Sequence, residues 1–253
     1  MSREKDLGNI KIYVEETYEE MGKKAAEIFC LELNNNPAGV YGFATGSTPL
    51  STYKELINKY NSGIDFSKMT TFNLDEYYPI KKDNDQSYDY FMRENLFNHI
   101  NVKNENINIP NGEAVDPEEE CIEYEVKIRN MGGIDLQILG IGANGHIGFN
   151  EPADYFTSGT NYISLTESTI SANSRFFESE ADVPRHALTM GIKTIMSAKK
   201  ILLLVNGSKK SEILKEALFG DITPQVPASI LQVHPDVTVV IDKEAAVSLD
   251  GYL

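Results

Sequence analysis

Two rhythms of apolar and polar residues alternate along the chain. NIKIYV (9–14) alternates residue by residue, as a half-buried strand does. YEEMGKKAAEIFCLELNNN (18–36) spaces its apolar residues every three to four positions, as a helix does, and closes on asparagine. The same exchange continues. AGVYGFA (38–44) predicts a strand, and TPLSTYKELINKY (48–60) a helix with Thr48 as N-cap and Pro49 at the first helical position. MTTFNLDEY (69–77) predicts a third strand, and SYDYFMRENLFNHI (87–100) a helix opened by Ser87. DPEEECIEYEVKIRNMG (116–132) predicts a helix whose first turn carries acidic residues, as the macrodipole favours. DLQILGIG (135–142) is a continuous apolar run and predicts a buried strand. After an irregular stretch come PRHALTMGIKTIMSA, KKILLLVNG, SKKSEILKEALFG, PASILQVH and VTVVIDKEAA, which continue the exchange of strand and helix.

This order predicts an α/β fold of Rossmann-like, doubly wound type: a mostly parallel sheet with helices on both faces, in a single domain spanning 1–253. Such sheets bind ligands beyond the carboxyl ends of their strands, so the residues predicted there are the candidates for chemistry. ATGSTP (44–49) sets Gly46, Ser47 and Thr48 between a strand and a helix N-terminus, where free N–H groups favour a phosphate. A plain βα turn reads the same way, and the lysine of a Walker loop is missing. NLDEYY sets Asp75 and Glu76 at a second end, where a carboxylate serves as general base or simply caps a turn.

The third end is LQILGIGANGHIGFNEP (136–152). Gly140, Gly142 and Gly145 match the dinucleotide fingerprint GxGxxG, but the context contradicts it. The match lies past the midpoint of the chain, and HIGFNEPADYFTSGTNY replaces the helix that should follow. The stretch does supply His146 and Glu151, an acid/base pair across a turn. Its spacing is not that of a zinc site, so no metal is expected. Arg175, Lys209 and Lys210 are cations able to complete a phosphate pocket, or plain surface.

Composition narrows the partners. A formal charge of −15 over 253 residues argues against nucleic acid and anionic membranes, while leaving room for a small anion in a local pocket. No apolar run approaches a membrane span, and no apolar leader opens the chain. The two cysteines, Cys30 and Cys121, lie in helical patterns and are expected as reduced thiols. A cytoplasmic location follows from these features as an expectation.

Six stretches together resemble the glucosamine-6-phosphate deaminases: ATGSTPLSTYKEL, FNLDEYY, QSYDYFMRENLF, GIGANGHIGFNEP, ANSRFF and VPRHALTMGIKTIMSAKKILLLVNGSKK. They run in the family's order over nearly the whole chain, and GHIGFNEP is the most specific. The related 6-phosphogluconolactonases share the fold without the FNEP continuation. The resemblance implies a phosphosugar substrate, isomerisation with deamination to fructose 6-phosphate, and no metal or organic cofactor. It assigns Asp75 to the proton transfer from C2 to C1, His146 to ring opening and Glu151 to its carboxylate partner. Gly46, Ser47, Thr48, Arg175 and Lys210 match the phosphate site.

Two departures stand out. Many members carry Asp where this chain has Asn144, and others carry Asn; Glu151 is then expected to supply the charge while Asn144 orients the imidazole. Allosteric members use basic and hydroxyl residues after NEP and a longer tail. ADYFTSGTNYIS has no Lys or Arg and the chain stops at Leu253, so hyperbolic kinetics, and a monomer or small homo-oligomer rather than an allosteric hexamer, are expected. Residues 153–162 are expected to form a mobile loop. A galactosamine-6-phosphate deaminase, a phosphosugar lactonase and a non-catalytic phosphosugar sensor remain alternatives. Such sensors carry a DNA-binding segment before the domain, and with the first strand expected about ten residues in, that alternative is disfavoured.

Overall fold

The computed structural model describes residues 3–253 except Arg175, Phe176 and Glu178. In chain order the elements are β1 (Arg3–Asp6), β2 (Ile10–Glu15), α1 (Tyr18–Asn35), β3 (Val40–Phe43), α2 (Leu50–Asn61), β4 (Thr70–Asn73) and β5 (Asp75–Tyr78). There follow α3 (Tyr88–Asn95), β6 (Ile107–Asn108), α4 (Pro117–Asn130), β7 (Leu136–Leu139), β8 (Asn161–Ser164), α5 (Glu167–Asn173) and β9 (His186–Thr189). The last elements are α6 (Ile192–Met196), β10 (Lys200–Val205), α7 (Ser211–Phe219) and β11 (Val237–Asp242).

Eight strands make one sheet in the order β1-β2-β11-β10-β7-β3-β4-β6. Only β1 runs antiparallel, as a short hairpin with β2 that the sequence pattern did not suggest. Ile201 to Val205 of β10 are all buried, which is why KILLLV lacks the alternation of a half-exposed strand.

From β2 the chain moves across the sheet to β3, β4 and β6, then reverses through β7, β10 and β11. Right-handed crossovers therefore put α1 and α2 on one face, α4 and α7 on the other. Ring contacts agree. Phe29 of α1 and Tyr53 of α2 pack on Phe43, at 5.6 and 6.0 Å between centroids. Phe72 pairs in register with Gly42, the residue before Phe43, so it faces the opposite way, and there it meets Tyr124 of α4 at 5.5 Å.

Helices α1, α3 and α4 begin at side-chain caps. Thr17 accepts from Glu20 N, Ser87 from Tyr90 N, and Asp116 from Glu118 N and Glu119 N. The α2 start differs from expectation. Pro49 itself is the N-cap and no side chain caps the helix, because the Thr48 hydroxyl is drawn away to Asn206.

The predicted third strand is also two strands. The run 69–77 breaks at Leu74, whose N–H bonds Phe43 O at 3.0 Å and whose carbonyl accepts from Met190 N at 2.7 Å. Beyond it β5 leaves the main sheet and joins an antiparallel sheet in the order β5-β9-β8. That second sheet has its own small core, including Tyr77, Phe149, Leu165, Ile170 and Ala187. The bend at Leu74 sets Asp75 at the junction of the two sheets.

Candidate active site

The direction of winding reverses between β3 and β7, which lie side by side, and in open α/β sheets ligands bind beyond the carboxyl ends at such a point. The 44–49 loop leaves β3 there, and the glycine-rich stretch leaves β7. Gly46 takes φ +93° in the first loop, and the Ser47 carbonyl is fixed by the Tyr18 hydroxyl at 2.6 Å. Lys210 Nζ donates to Thr48 Oγ1 at 3.3 Å, and Thr48 Oγ1 donates to Asn206 Oδ1 at 2.8 Å. Thr48 and Lys210 are thus brought together from opposite parts of the chain. Burial lowers the pKa of Lys210, and no carboxylate among the described residues pairs with it. Arg175, the remaining expected phosphate ligand, lies outside the described residues.

Asp75 is 6 % exposed, and no hydrogen bond from the described residues reaches its carboxyl. Burial, with the adjacent Glu76 charge, pushes it up to about 8. Glu76 is differently placed. Burial raises it to about 7, against three backbone N–H groups, those of Tyr77, Tyr88 and Asp89, each at 2.9 Å. Two of these donors open α3, so a charge on Glu76 sits at a helix N-terminus. Of the two carboxyls, Glu76 is held and Asp75 is free.

The glycine-rich stretch forms a tight turn around His146. Gly145 N bonds Gly142 O at 3.0 Å, and Gly142 N bonds His146 O at 2.9 Å. The imidazole lies directly over Gly142, where a Cβ would fall 2.1 Å from Cε1. Asn144 Nδ2 donates to Glu151 Oε2 at 2.6 Å, which turns Asn144 Oδ1 toward His146 Nδ1 at 2.7 Å. An acceptor there requires Nδ1–H, which leaves the Nε2 lone pair free for a proton shuttle. Glu151 Oε2 also lies 3.5 Å from Nδ1, and Thr169 Oγ1 donates to Oε1 at 2.6 Å. Burial opposes charge on Glu151, but His146, Thr169 and Asn144 outweigh it and hold the carboxyl at about 2. Asn144 thus bridges the imidazole and the Glu151 carboxyl.

The turn then reaches Asp75. Gly148 takes φ +57°, and a Cβ on it would lie 3.0 Å from Thr189 Oγ1 and 3.6 Å from Asp75 Oδ2. Thr189 is the register partner of Asp75 across β5 and β9, and its hydroxyl accepts from Phe149 N at 3.1 Å. Buried Asn150 donates to Ile147 O at 2.9 Å and Met190 O at 2.8 Å, and accepts from Thr157 Oγ1. GHIGFNEP therefore ties the histidine turn to the strand pair that carries Asp75.

Residues 153–162 are anchored rather than loose. Ala153 N bonds Pro224 O, Thr157 O accepts from Lys193 N, and Thr160 gives both its N–H and its hydroxyl to Glu125. Sequence reasoning missed Thr169, Thr189 and Asn206. Only Asn206 left a trace, as the residue that ends the apolar run ILLLV at a predicted strand end. Among the described residues no cluster of three or more His, Cys, Asp or Glu is placed to hold a metal ion, and no helix is long and apolar enough to cross a membrane.

Residues 16–240 match the family model of the glucosamine-6-phosphate isomerases/6-phosphogluconolactonase. The chain is 61 % identical to a glucosamine-6-phosphate deaminase of Alkaliphilus oremlandii over 236 residues, 93 % of this chain and 98 % of that one. A glucosamine-6-phosphate deaminase of Thermoanaerobacter pseudethanolicus is 57 % identical, with 94 % of each chain covered. A solved monomeric glucosamine-6-phosphate deaminase superposes with TM-score 0.91 at 46 % identity, over 94 % of this chain and 99 % of that one. A 6-phosphogluconolactonase from Leishmania guyanensis shares the fold, with TM-score 0.75 at 18 % identity, over 94 % of this chain and 98 % of that one. The chain belongs to the glucosamine-6-phosphate isomerase/6-phosphogluconolactonase family.

Proposed function

We propose that this protein converts glucosamine 6-phosphate and water to fructose 6-phosphate and ammonia, in one phosphosugar domain acting in the cytoplasm. The supporting observation is a free buried carboxyl, Asp75, joined through Gly148 to a histidine whose Nδ1 is bound by Asn144 and Glu151. The monomeric solved relative supports a monomer or small oligomer.

The cyclic sugar opens first. His146 Nε2 accepts the C1 hydroxyl proton and returns one to the ring oxygen; Glu151 stabilises the transient imidazolium through Asn144 and by direct charge. Asp75 then takes the C2 proton as the C1 carbonyl oxygen gains one, giving an enolamine, and delivers its proton to C1 as the nitrogen gives one up to leave a C2 imine. One carboxylate reaching both carbons suffices for that transfer, which contributes about 10²–10⁴ in rate. The C2 imine adds water and releases ammonia.

Burial keeps the Asp75 carboxyl weakly acidic and makes its ionised form a stronger base than an exposed carboxylate. The protonated amine of the substrate supplies a counter-charge as it enters, which favours the ionised form. Binding of the remote phosphate at Gly46, Ser47, Thr48, Arg175 and Lys210 positions C1 and C2.

Ammonia release from glucosamine 6-phosphate tests the reading, with galactosamine 6-phosphate in parallel and Asp75→Asn as control. Release from the gluco sugar that drops at least 10³-fold in the variant is the expected result. Release from the galacto sugar alone, or from neither, overturns it.

A further inference from the structure

Resting on that reading of the substrate, we infer that Asn206 is a substrate-binding residue, its side-chain amide donating hydrogen bonds to the phosphate beside Lys210. Asn206 follows β10, at the carboxyl end of a strand next to β7. The loop it opens is held from below, because Gly207 N donates to both oxygens of buried Asp242, at 3.0 and 3.1 Å.

The polarity of the hydrogen bonds decides which atoms are left for a ligand. Lys210 donates to the Thr48 hydroxyl, and that hydroxyl donates to Asn206 Oδ1. A hydroxyl has one proton, so the Thr48 side chain has none left to offer a ligand, and Thr48 can meet the phosphate only through its backbone N–H. The Thr48 bond also fixes which way the amide faces: Oδ1 is occupied, and Nδ2, with two hydrogens, takes no partner among the described residues. Lys210 has two further ammonium hydrogens and no carboxylate partner among the described residues. The chain Lys210–Thr48–Asn206 thus ends in free donors at both extremities and has no free acceptor except a lone pair on each oxygen. An arrangement of that polarity suits a dianion at the α2 entry and disfavours a cation.

The decisive variant is Asn206→Asp. It keeps an oxygen to accept from Thr48 and replaces only the free donor by an acceptor of negative charge. Asn206→Leu removes both interactions at similar volume and covers the case in which the first variant folds poorly. The phosphate is remote from C1 and C2, so the larger part of the effect should fall on KM.

Expected are a KM for glucosamine 6-phosphate raised at least 100-fold in Asn206→Asp and about 10-fold in Asn206→Leu, with kcat within about threefold. Inorganic phosphate, as a probe independent of turnover, should raise the melting temperature of the wild type and leave that of Asn206→Asp unchanged. Wild-type KM and phosphate response in both variants overturn the assignment, as does a fall in kcat at constant KM. If the wild type releases no ammonia but phosphate still stabilises it and not Asn206→Asp, the phosphate role stands and the proposed reaction falls.

Discussion

A methyl group on Gly142 would sit 2.1 Å from Cε1 of His146 and 2.3 Å from Nε2. The glycine is thus the floor on which the imidazole rests, and its own N–H is bound to the His146 carbonyl at 2.9 Å. Gly142→Ala must push the ring off its bonds to Asn144. A displacement of this size costs on the order of 10² in rate. Steady-state kinetics should show kcat reduced about 100-fold with KM within a few-fold, since no phosphate contact is touched. Unchanged kcat would show that ring placement does not limit turnover.

Glu151→Gln replaces a carboxylate that only accepts by an amide that also donates. Asn144 Nδ2 and Thr169 Oγ1 both give their protons to Glu151, and His146 Nδ1 lies 3.5 Å away. The variant loses the charge that supports an imidazolium, and kcat should fall about 10²- to 10⁴-fold. Asn144→Asp adds a charge next to Nδ1 and should retain activity within about tenfold. Full activity in Glu151→Gln would place the charge elsewhere. Acid unfolding gives a second readout. The Glu151 carboxyl goes from 4.5 in the unfolded chain down to about 2 in the fold, so its stabilisation is complete above 4.5 and is lost as pH falls through 2. Glu151→Gln should remove that part of the acid sensitivity.

The pH dependence of turnover follows from the two neighbouring carboxyls. Asp75 must be ionised to take a proton, and burial with the Glu76 charge holds it at about 8. In the free protein kcat/KM should therefore rise with pH to a limb near 8. Removing the neighbouring charge in Glu76→Gln should move the limb to lower pH, at some cost in stability because three N–H groups lose part of their acceptor. A limb that stays put in this variant would mean that desolvation alone sets the value.

How far the sequence foretold this site depends on the range of the interactions. That Asp75 and the turn carrying His146 and Glu151 lie beyond strand ends is legible, because each segment follows an apolar run in a chain that alternates strand and helix. The split of residues 69–77 at Leu74 is not legible. TTFNLDEY has one unbroken strand pattern, and the break comes from Leu74 bonding at once to Phe43 and Met190, 31 and 116 positions away in numbering. Thr48 carries a good local cap signal and is no cap, since its hydroxyl goes to a residue 158 positions on. Residues 153–162 have the composition of a loose loop, yet Glu125 takes two hydrogen bonds from Thr160 and a third from Thr194. In each case a tertiary partner overrode a local preference.

Stability should carry the opposite signature to activity. The Asp75 carboxyl goes from 3.8 in the unfolded chain to about 8 in the fold. Between those values the native state holds a proton that the unfolded chain has released, so stability falls as pH rises, by at most about 1.4 kcal/mol per pH unit from this group. The raised value of Glu76 adds a slope of the same sign between 4.5 and about 7. Asp75→Asn keeps the shape and cannot ionise. It should match the wild type near pH 4, gain on it steadily to pH 8, and hold a constant lead above that. Urea midpoints at pH 4, 6, 8 and 9 measure the difference directly. A constant gap across that range would mean that the carboxyl ionises as readily in the fold as in the unfolded chain. The general base would then owe nothing to its burial, and the activity limb near pH 8 would need another owner.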